Sequence, residues 1–497
     1  MITLRDYQQE AVDEIRTALK QYRRVLFQLP TGGGKTCCFS YMAYSSQKYG
    51  KKVLIMSDRS EILMQNGGSL ERMGLKVQYV NPRNKEVPTS NCVCSMSQTL
   101  KRRIEKEEWK EWIKSVNFCI IDECHVGTHD FIYDYLSEKC FVLGVTATPA
   151  RNGKQRQLGE IFRAMVTGVS VKTLIAKGYL SKARHYSIAA PKLDVKIDSS
   201  TGDYNSKDLS KRFESRTRYK GTVNEYIRLT KGQKAICFCV SSKQCIELTK
   251  EFNDCGVRAK YILSGEFDED TVYSGDRNTV IKEFKEGLFD VLVNVNCLTA
   301  GFDCPEVQCV ILDFATVSIA RYRQAIGRGA RVTENKKDFT ILDCGDNWRR
   351  LGMYDSDIEW CLCHSVSSGG LPQLKDCDTK KKDINGKFGC GGRIPTQMKV
   401  CPICGYVFPT EHDEYVLHLE EVASDNAGTI AGYAAEKRIQ GWSIPRILIS
   451  VCVANPDSMR KAFKEAYLSI SPDKTDKDAN RYYYVFMKQF GNKIKKS

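Results

Sequence analysis

The chain has 497 residues, 42% of them apolar and 27% charged, an ordinary globular mix that excludes collagen-like, mucin-like and wholly disordered chains. At roughly 150 residues per domain, the length predicts about three domains. Lysine and arginine number 75 against 60 aspartates and glutamates, a formal charge of +15, which favours anionic partners, nucleic acid first.

The opening residues, Met1 to Asp6, bring an early acid and no apolar stretch, so no signal peptide is expected. Leu4, Ala11, Ile15 and Leu19 are spaced for a helix over 4–20. Val25 to Leu29 reads as a short buried strand, followed by a glycine run and a helix to about Lys48. Further strands are predicted at Val53–Met56, Cys92–Cys94, Phe118–Ile121 and Phe141–Val145, with a helical pattern through Gln65 between the first two. Strands alternating with helices imply a parallel sheet covered on both faces. Ligands of such sheets sit beyond the carboxyl ends of the strands. Residues 150–230 are less regular, and the polar stretch from Asp198 to Arg218 reads as linker and exposed insertion. A second alternating block follows, with strands at Ala235–Val240, Ala259–Leu263, Val291–Val295, Val310–Leu312 and Phe339–Leu342, and a helix over Ser241–Phe252. The two blocks share an architecture but no visible sequence repeat. No apolar run approaches the ~18 residues needed to span a bilayer, so no membrane partner is expected. Of the 22 cysteines, Cys119, Cys237, Cys239 and Cys309 sit singly in apolar runs. They read as reduced core thiols of a cytoplasmic protein.

Gly32, Gly33 and Gly34 precede Lys35 and Thr36 at a strand-to-helix junction. Glycines there let backbone N–H groups face a phosphate without Cβ interference, and the helix N-terminus adds partial positive charge. Lys35 is expected to reach the β- and γ-phosphates of ATP and Thr36 to ligate Mg2+. The general phosphate-loop pattern wants a glycine where Leu29 stands. The plainer alternative is a flexible turn with a surface lysine. Asp122 and Glu123 follow four apolar residues to the same sheet edge. Asp122 is assigned to the metal and Glu123 to the attacking water, the alternative being a solvated acidic turn. In the second block, Gln324, Gly327, Arg328, Gly329 and Arg331 place two guanidiniums on what reads as one helical face, suited to charge on a transferring phosphoryl group. Taken alone, a basic helix end on a solvated face is the simpler reading. A site built from both blocks closes only when the domains meet.

This ordered set resembles the superfamily 2 helicases, and among them the compact DNA-repair and phage branch-migration helicases, including the RadD-like group, over about residues 1–345. The resemblance implies two tandem RecA-like domains, at 1–165 and 231–350, joined through 166–230. Arg5 and Gln8 correspond to the adenine-reading glutamine motif, and Thr31, Gly32, Gly33, Gly34, Lys35 and Thr36 to the phosphate loop. Asp122 to His125 form a DECH version of motif II. Thr146 and Thr148 belong to motif III, which couples hydrolysis to strand movement. In motif V, Gly301 and Asp303 lie on the nucleotide side and Thr299 contacts the strand. Arg328 corresponds to the γ-phosphate residue and Arg331 to the arginine finger. Arg59, Gln98 and Thr99 sit where the family touches the nucleic-acid backbone. The implied activity is ATP-driven, Mg2+-dependent translocation along one strand. The implied substrate is DNA, as single strand, fork or branched junction, in replication, recombination or repair. A monomer is expected, in the host cytoplasm if the chain is phage-encoded.

Beyond the motor, Cys377, Cys390, Cys401 and Cys404 form a four-thiolate set expected to hold a structural zinc over 360–410. Cys361, Cys363 and His364 lie nearby as alternative ligands, and Phe408 is placed to pack on the module. The polar peptide from Lys380 to Gly392 would barely fold without a metal. Residues 411–497 are expected to be helical, basic and aromatic. Arg481, Tyr482, Tyr483 and Tyr484 could stack on single-stranded bases, but the core of a small helical domain is the simpler reading. His129, His185, His412 and His418 have no assigned partner. Two other functions fit the sequence: an RNA helicase, and a zinc-ribbon nucleic-acid-binding adaptor with a regulatory motor. Intact Lys35, Glu123 and Arg331 argue against a silent motor.

Overall fold

The computed structural model describes residues 3–151, 155–188, 195–198, 200–263, 274–298, 302–358, 360–362, 374–377, 379, 382, 385–395, 400–401, 403–407, 419–422, 434, 444–454, 459–471 and 475–495. The first domain runs α1 (Asp6–Gln21), β1 (Arg24–Gln28), α2 (Lys35–Lys48), β2 (Val53–Ser57), α3 (Ser60–Glu71), β3 (Val77–Val80), β4 (Cys92–Met96), α4 (Ser97–Arg103), α5 (Glu107–Lys114), β5 (Phe118–Asp122), a 3-10 turn (Gly127–Asp134), β6 (Phe141–Thr146), α6 (Leu158–Ile161), β7 (Ala164–Thr167) and α7 (Val171–Ala176). Its seven strands order as β3-β4-β2-β5-β6-β1-β7, all parallel. Alternate residues of each strand feed opposite faces. Val25, Phe27, Ile55, Ile120 and Val145 pack under α1 and α2, whereas Leu26, Leu54, Cys119 and Ile121 meet Trp109 and Trp112 of α5.

The second domain runs β8 (Lys182–Ile188), β9 (Ile197–Asp198), β10 (Asp203–Tyr204), α8 (Ser206–Phe213), α9 (Arg216–Thr230), β11 (Ala235–Cys239), α10 (Ser242–Asp254), β12 (Ala259–Ile262), α11 (Arg277–Glu286), β13 (Val291–Asn294), β14 (Cys309–Asp313), α12 (Ile319–Ile326), β15 (Asp338–Asp343) and α13 (Asn347–Leu351). The region expected as linker and exposed insertion, 166–230, is neither. It contributes β8, which pairs with β15 inside the second sheet. It also contributes α9, whose Tyr219, Val223 and Tyr226 are buried in the second core. The polar stretch hides Tyr204, Leu209 and Phe213 in a small cluster of their own. Charges on the outer face of α8, such as Lys207 and Lys211, masked that amphipathic pattern.

The C-terminal part carries β16 (Leu374–Asp376), β17 (Arg393–Pro395), β18 (Leu419–Val422), α14 (Ile444–Ala454), α15 (Met459–Ile470) and α16 (Asp476–Lys495). The region expected to be helical therefore also contains a strand. β18 lies antiparallel to β8 and completes the second sheet, β12-β13-β11-β14-β15-β8-β18. Leu419 is buried in its core, and Arg228 donates to the Leu419 carbonyl (2.7 Å). The last three helices close around Ile447, Leu448, Cys452, Phe463, Ala466 and Phe486. Tyr482 and Tyr483 pack against that core, as the simpler reading of the tail expected, while Tyr484 is exposed. No helix among the described residues is long and apolar enough to cross a membrane.

Candidate active site

The phosphate loop leaves β1 and enters α2 through left-handed backbone at Gly32 (φ 84°) and Gly34 (φ 91°), which glycine adopts without steric cost. A Cβ at Gly34 would lie 2.2 Å from Gln8 Nε2. Tyr7 Oη (2.8 Å) and Gln8 Nε2 (3.2 Å) both donate to the Gly33 carbonyl, and Gln8 Oε1 accepts from the Arg5 N–H (3.0 Å). The glutamine motif and the glycine loop are thus one packed unit. The Arg5 guanidinium lies 3.9 Å above the ring of Tyr179. Tyr179 carries no motif and falls in the stretch read as linker, so no local pattern marks it.

β5 delivers Asp122 and Glu123 beside this loop. Lys35 Nζ lies 3.8 Å from Glu123 Oε1. Asp122 Oδ2 accepts from Asn66 Nδ2 (3.0 Å), and its other oxygen accepts from the Glu123 N–H (3.0 Å). Burial and the adjacent Glu123 push Asp122 up to about 6, against the pull of Asn66 and Lys35. Burial alone would raise Glu123 too, but Lys35, His125 and Arg328 outweigh it and hold Glu123 below the ordinary carboxylate range. Adjacent acids with separated affinities for a proton suit separate roles. A buried carboxylate that ionises reluctantly gains most from a divalent cation beside it. Asp122 therefore fits Mg2+, whose chemistry here would be to neutralise phosphate charge; Thr36, the expected second ligand, stands in the first turn of α2. Thr146 Oγ1 donates to Glu123 Oε2 (3.4 Å) and lies 2.8 Å from His125 Nδ1. Motifs II and III are thus in direct contact. Burial lowers His125 against the opposing field of Glu123.

The second domain reaches the same acid. Gln324 Nε2 donates to Glu123 Oε2 (3.4 Å). Arg328 is one of the charges acting on Glu123; its Nη1 donates to the Phe302 carbonyl (2.6 Å). Burial pulls Arg328 down to about 10, against Glu123, so it stays charged at neutral pH. Gly327 lets the domains approach, since a Cβ there would sit 2.7 Å from Thr31 Cγ2. The two arginines do not share a helical face. α12 ends at Ile326 with Gly327 as its cap, and glycine beyond each side of Arg328 favours the turn that follows. Arg331 lies past that turn, bridged to Leu180 and ion-paired with Asp303. Arg328 acts on Glu123 through its charge, bonded itself to the Phe302 carbonyl, whereas Arg331 is paired directly with Asp303.

On the expected strand side, Arg59 Nη1 lies 3.4 Å from the carbonyls of Asn296 and Cys297, and Arg277 pairs with Glu61 (3.1 Å). Both contacts join the domains. Gln98 is exposed and Thr99 buried at the start of α4, where exposed Lys101 and Arg102 follow. Thr299 and Gly301 lie outside the described residues, as do Cys363, His364, Phe408, His412 and His418.

The sulfurs of Cys377, Cys390, Cys401 and Cys404 all lie within 4.8 Å of one another, with Cys377–Cys404 at 3.5 Å and Cys390–Cys401 at 3.8 Å. A tetrahedron of about 2.3 Å zinc–sulfur bonds needs sulfurs about 3.8 Å apart. The set fits zinc, and Cys361 is not part of it. The adjoining Leu362 instead packs on the first-domain core. Cys390 and Ile403 touch the C-terminal helical core, and Arg446 donates to the Cys390 carbonyl (2.9 Å).

Two RecA-like sheets contributing to one nucleotide site define an ATP-driven nucleic-acid motor. Residues 1–151 match the family described as type III restriction enzyme, res subunit, and residues 219–333 match the helicase conserved C-terminal domain. The chain belongs to the superfamily 2 helicases and is an ATP-dependent enzyme of that family. It is 26% identical over 407 residues to a 51.5 kDa protein of Lactococcus phage (isolate 7-9), covering 80% of each chain. It is 30% identical over 365 residues to "Putative ATP-dependent helicase IRC3" of Saccharomyces cerevisiae, covering 68% of this chain and 51% of that protein. Its fold is similar to a fragment of "a putative HsdR subunit of a type I restriction enzyme" from Vibrio vulnificus YJ016. The TM-score is 0.55 at 22% identity, over 71% of this chain and 67% of that one.

Proposed function

We propose that the chain is a DNA helicase or translocase that moves along one strand and acts on forked or branched DNA, in replication, recombination or repair. One observation carries the motor chemistry: Lys35, Thr146, Gln324 and Arg328, from two sheets, converge on Glu123. ATP phosphates lie against the glycine loop and Lys35, with Mg2+ held by Thr36 and Asp122. Glu123 orients and deprotonates the attacking water, and Arg328 meets the charge that develops on the transferring phosphoryl group. Arg331 and Asp303 act as a pair at the edge of the same cleft. Arg5 and Gln8 select the base. Alternating closure and opening of the domains shifts Arg59, Gln98, Thr99 and Thr299 along the strand. DNA is favoured over RNA by the restriction-enzyme description of the matching first-domain family, while the excess of +15 suits either polyanion. The four cysteines hold one structural zinc, which organises the module between the second sheet and the last helices. The test is ATPase stimulation compared across single-stranded DNA, duplex, forks, Holliday junctions and RNA. Strongest stimulation by forked or branched DNA supports the reading. Greater stimulation by RNA than by any DNA overturns the substrate.

A further inference from the structure

Glu123 stands in left-handed backbone, φ 51°, a conformation that L residues adopt only where neighbours impose it. The carbonyls of the next two residues are held by a side chain that no motif names. Arg151, 2% exposed, follows the motif III strand and turns back under motif II. Its Nη2 donates to the Cys124 carbonyl (2.8 Å) and its Nε to the His125 carbonyl (3.0 Å). Nη1 and Nη2 grip both oxygens of Asp130 (2.8 Å each), and Nη1 also donates to the Arg156 carbonyl (2.6 Å). All five guanidinium N–H groups are used, a geometry that lysine cannot reproduce.

Asp130 sits on the 3-10 turn Gly127–Asp134, beside fully buried His129. His129 Nδ1 lies 2.5 Å from Ser97 Oγ. The Ser97 hydroxyl donates to the Ser57 carbonyl (3.3 Å), so it accepts from an Nδ1–H of the histidine. Ser57 ends β2, one residue before the Asp58–Arg59 segment, and Ser97 opens α4 ahead of Gln98 and Thr99. The two chain ends expected to touch the strand thus meet at one hydroxyl. From there the contacts run through the turn to Arg151 and on to the backbone that aims Glu123.

We propose that Arg151, with Asp130, His129 and Ser97, is a positioning relay that adjusts Glu123 when a strand occupies the ends of β2 and β4. The inference rests on the proposed motor reading, with Glu123 on the water and the first-domain loops on the strand. None of the four touches ATP or the reacting atoms. Contiguous contacts alone do not establish coupling, which a double-mutant cycle measures.

The experiment uses the full chain with oligothymidylate as the strand, and compares wild type, Ser97→Ala, Arg151→Lys and the double variant. Read out are basal and strand-stimulated ATPase, KM for ATP, oligothymidylate affinity and melting temperature. For Ser97→Ala, basal turnover is expected to be unchanged while stimulation falls about 5-fold, a coupling within the usual allosteric range. For Arg151→Lys, stimulated kcat is expected to fall about 10-fold with KM and strand affinity within about 2-fold. The double variant is expected to be no worse than Arg151→Lys, because both cut one relay. Full stimulation in Ser97→Ala, additive losses in the double variant, or proportionate loss of basal and stimulated turnover would overturn the relay. If wild type neither binds oligothymidylate nor is stimulated by it, the motor reading fails instead, independently of the relay.

Discussion

The two seven-stranded sheets have one strand order. With the seven strands of each sheet numbered in chain order, both run third, fourth, second, fifth, sixth, first, seventh. The chemistry at matching places differs. The fifth strand of the first sheet ends in Asp122 and Glu123, facing Lys35 and the cleft. The fifth strand of the second ends in Asp313, fully buried. Asp313 accepts from Gln244 Nε2 (2.9 Å) and faces Arg218 Nε at 3.5 Å. The last strands differ too, since β7 runs parallel to its neighbour and β18 antiparallel. Topology sets where an acid emerges; neighbouring side chains decide whether it reacts or braces the fold.

Exchanging the fates of the two acids is the strongest way to break that comparison. Glu123→Gln is expected to cut ATP turnover about 1,000-fold, within the span for loss of a general base, while ATP still binds. Asp313→Ala is expected to leave the turnover of the folded enzyme near wild type. It should cost about 2 kcal/mol of stability in denaturant titration, because buried Gln244 and half-buried Arg218 lose a shared acceptor. Full turnover in Glu123→Gln, or abolished turnover in a folded Asp313→Ala, would dissolve the distinction between the sheets.

A smaller effect is expected from the cysteine module. One zinc per chain is predicted by metal analysis, and Cys401→Ser should lose it. Because Cys390 and Ile403 pack on the C-terminal helical core, the variant should melt in two steps, with the motor transition unchanged. Full metal content in Cys401→Ser would remove that assignment. Truncation is a poorer test than this substitution. Cutting ahead of residue 419 strips β18 from the second sheet.

The mildest prediction concerns pH. Burial and Glu123 push Asp122 up to about 6, and as the proposed Mg2+ ligand it would act in its ionised form. ATPase should therefore decline by a few-fold as pH falls from 7 through about 6, in proportion to the protonated fraction. Raising Mg2+ competes with the proton and should move this limb to lower pH. A limb insensitive to Mg2+ would place the titration elsewhere.

The ten strands predicted from the sequence all occur, because each is a short apolar run bounded by turn residues and buried on both faces. Strands without that signature stayed invisible. β8 carries Lys182, Arg184 and His185 and lies near the rim of its sheet, so its polar residues hid its register. β18 is short and far from its partner in sequence. Within the site, Lys35, Asp122 and Glu123 were legible because short local runs carry them, a glycine turn opening α2 and the end of β5. Arg328 and Arg331 were legible as residues but not as geometry, since the break after Ile326 sends them to different acids. Asn66 and Arg151 act through contacts that no local pattern encodes.

In the proposed motor the second domain completes the hydrolytic site through Arg328. Single-turnover ATP hydrolysis with single-stranded DNA in Arg328→Ala and wild type, with ATP affinity measured in parallel, tests this. ATP affinity is expected to stay within about 3-fold and the hydrolysis rate to fall about 100-fold, the scale for losing one charge-stabilising donor. A rate within about 2-fold of wild type at unchanged affinity, well short of that scale, would contradict it, leaving hydrolysis to the first sheet alone.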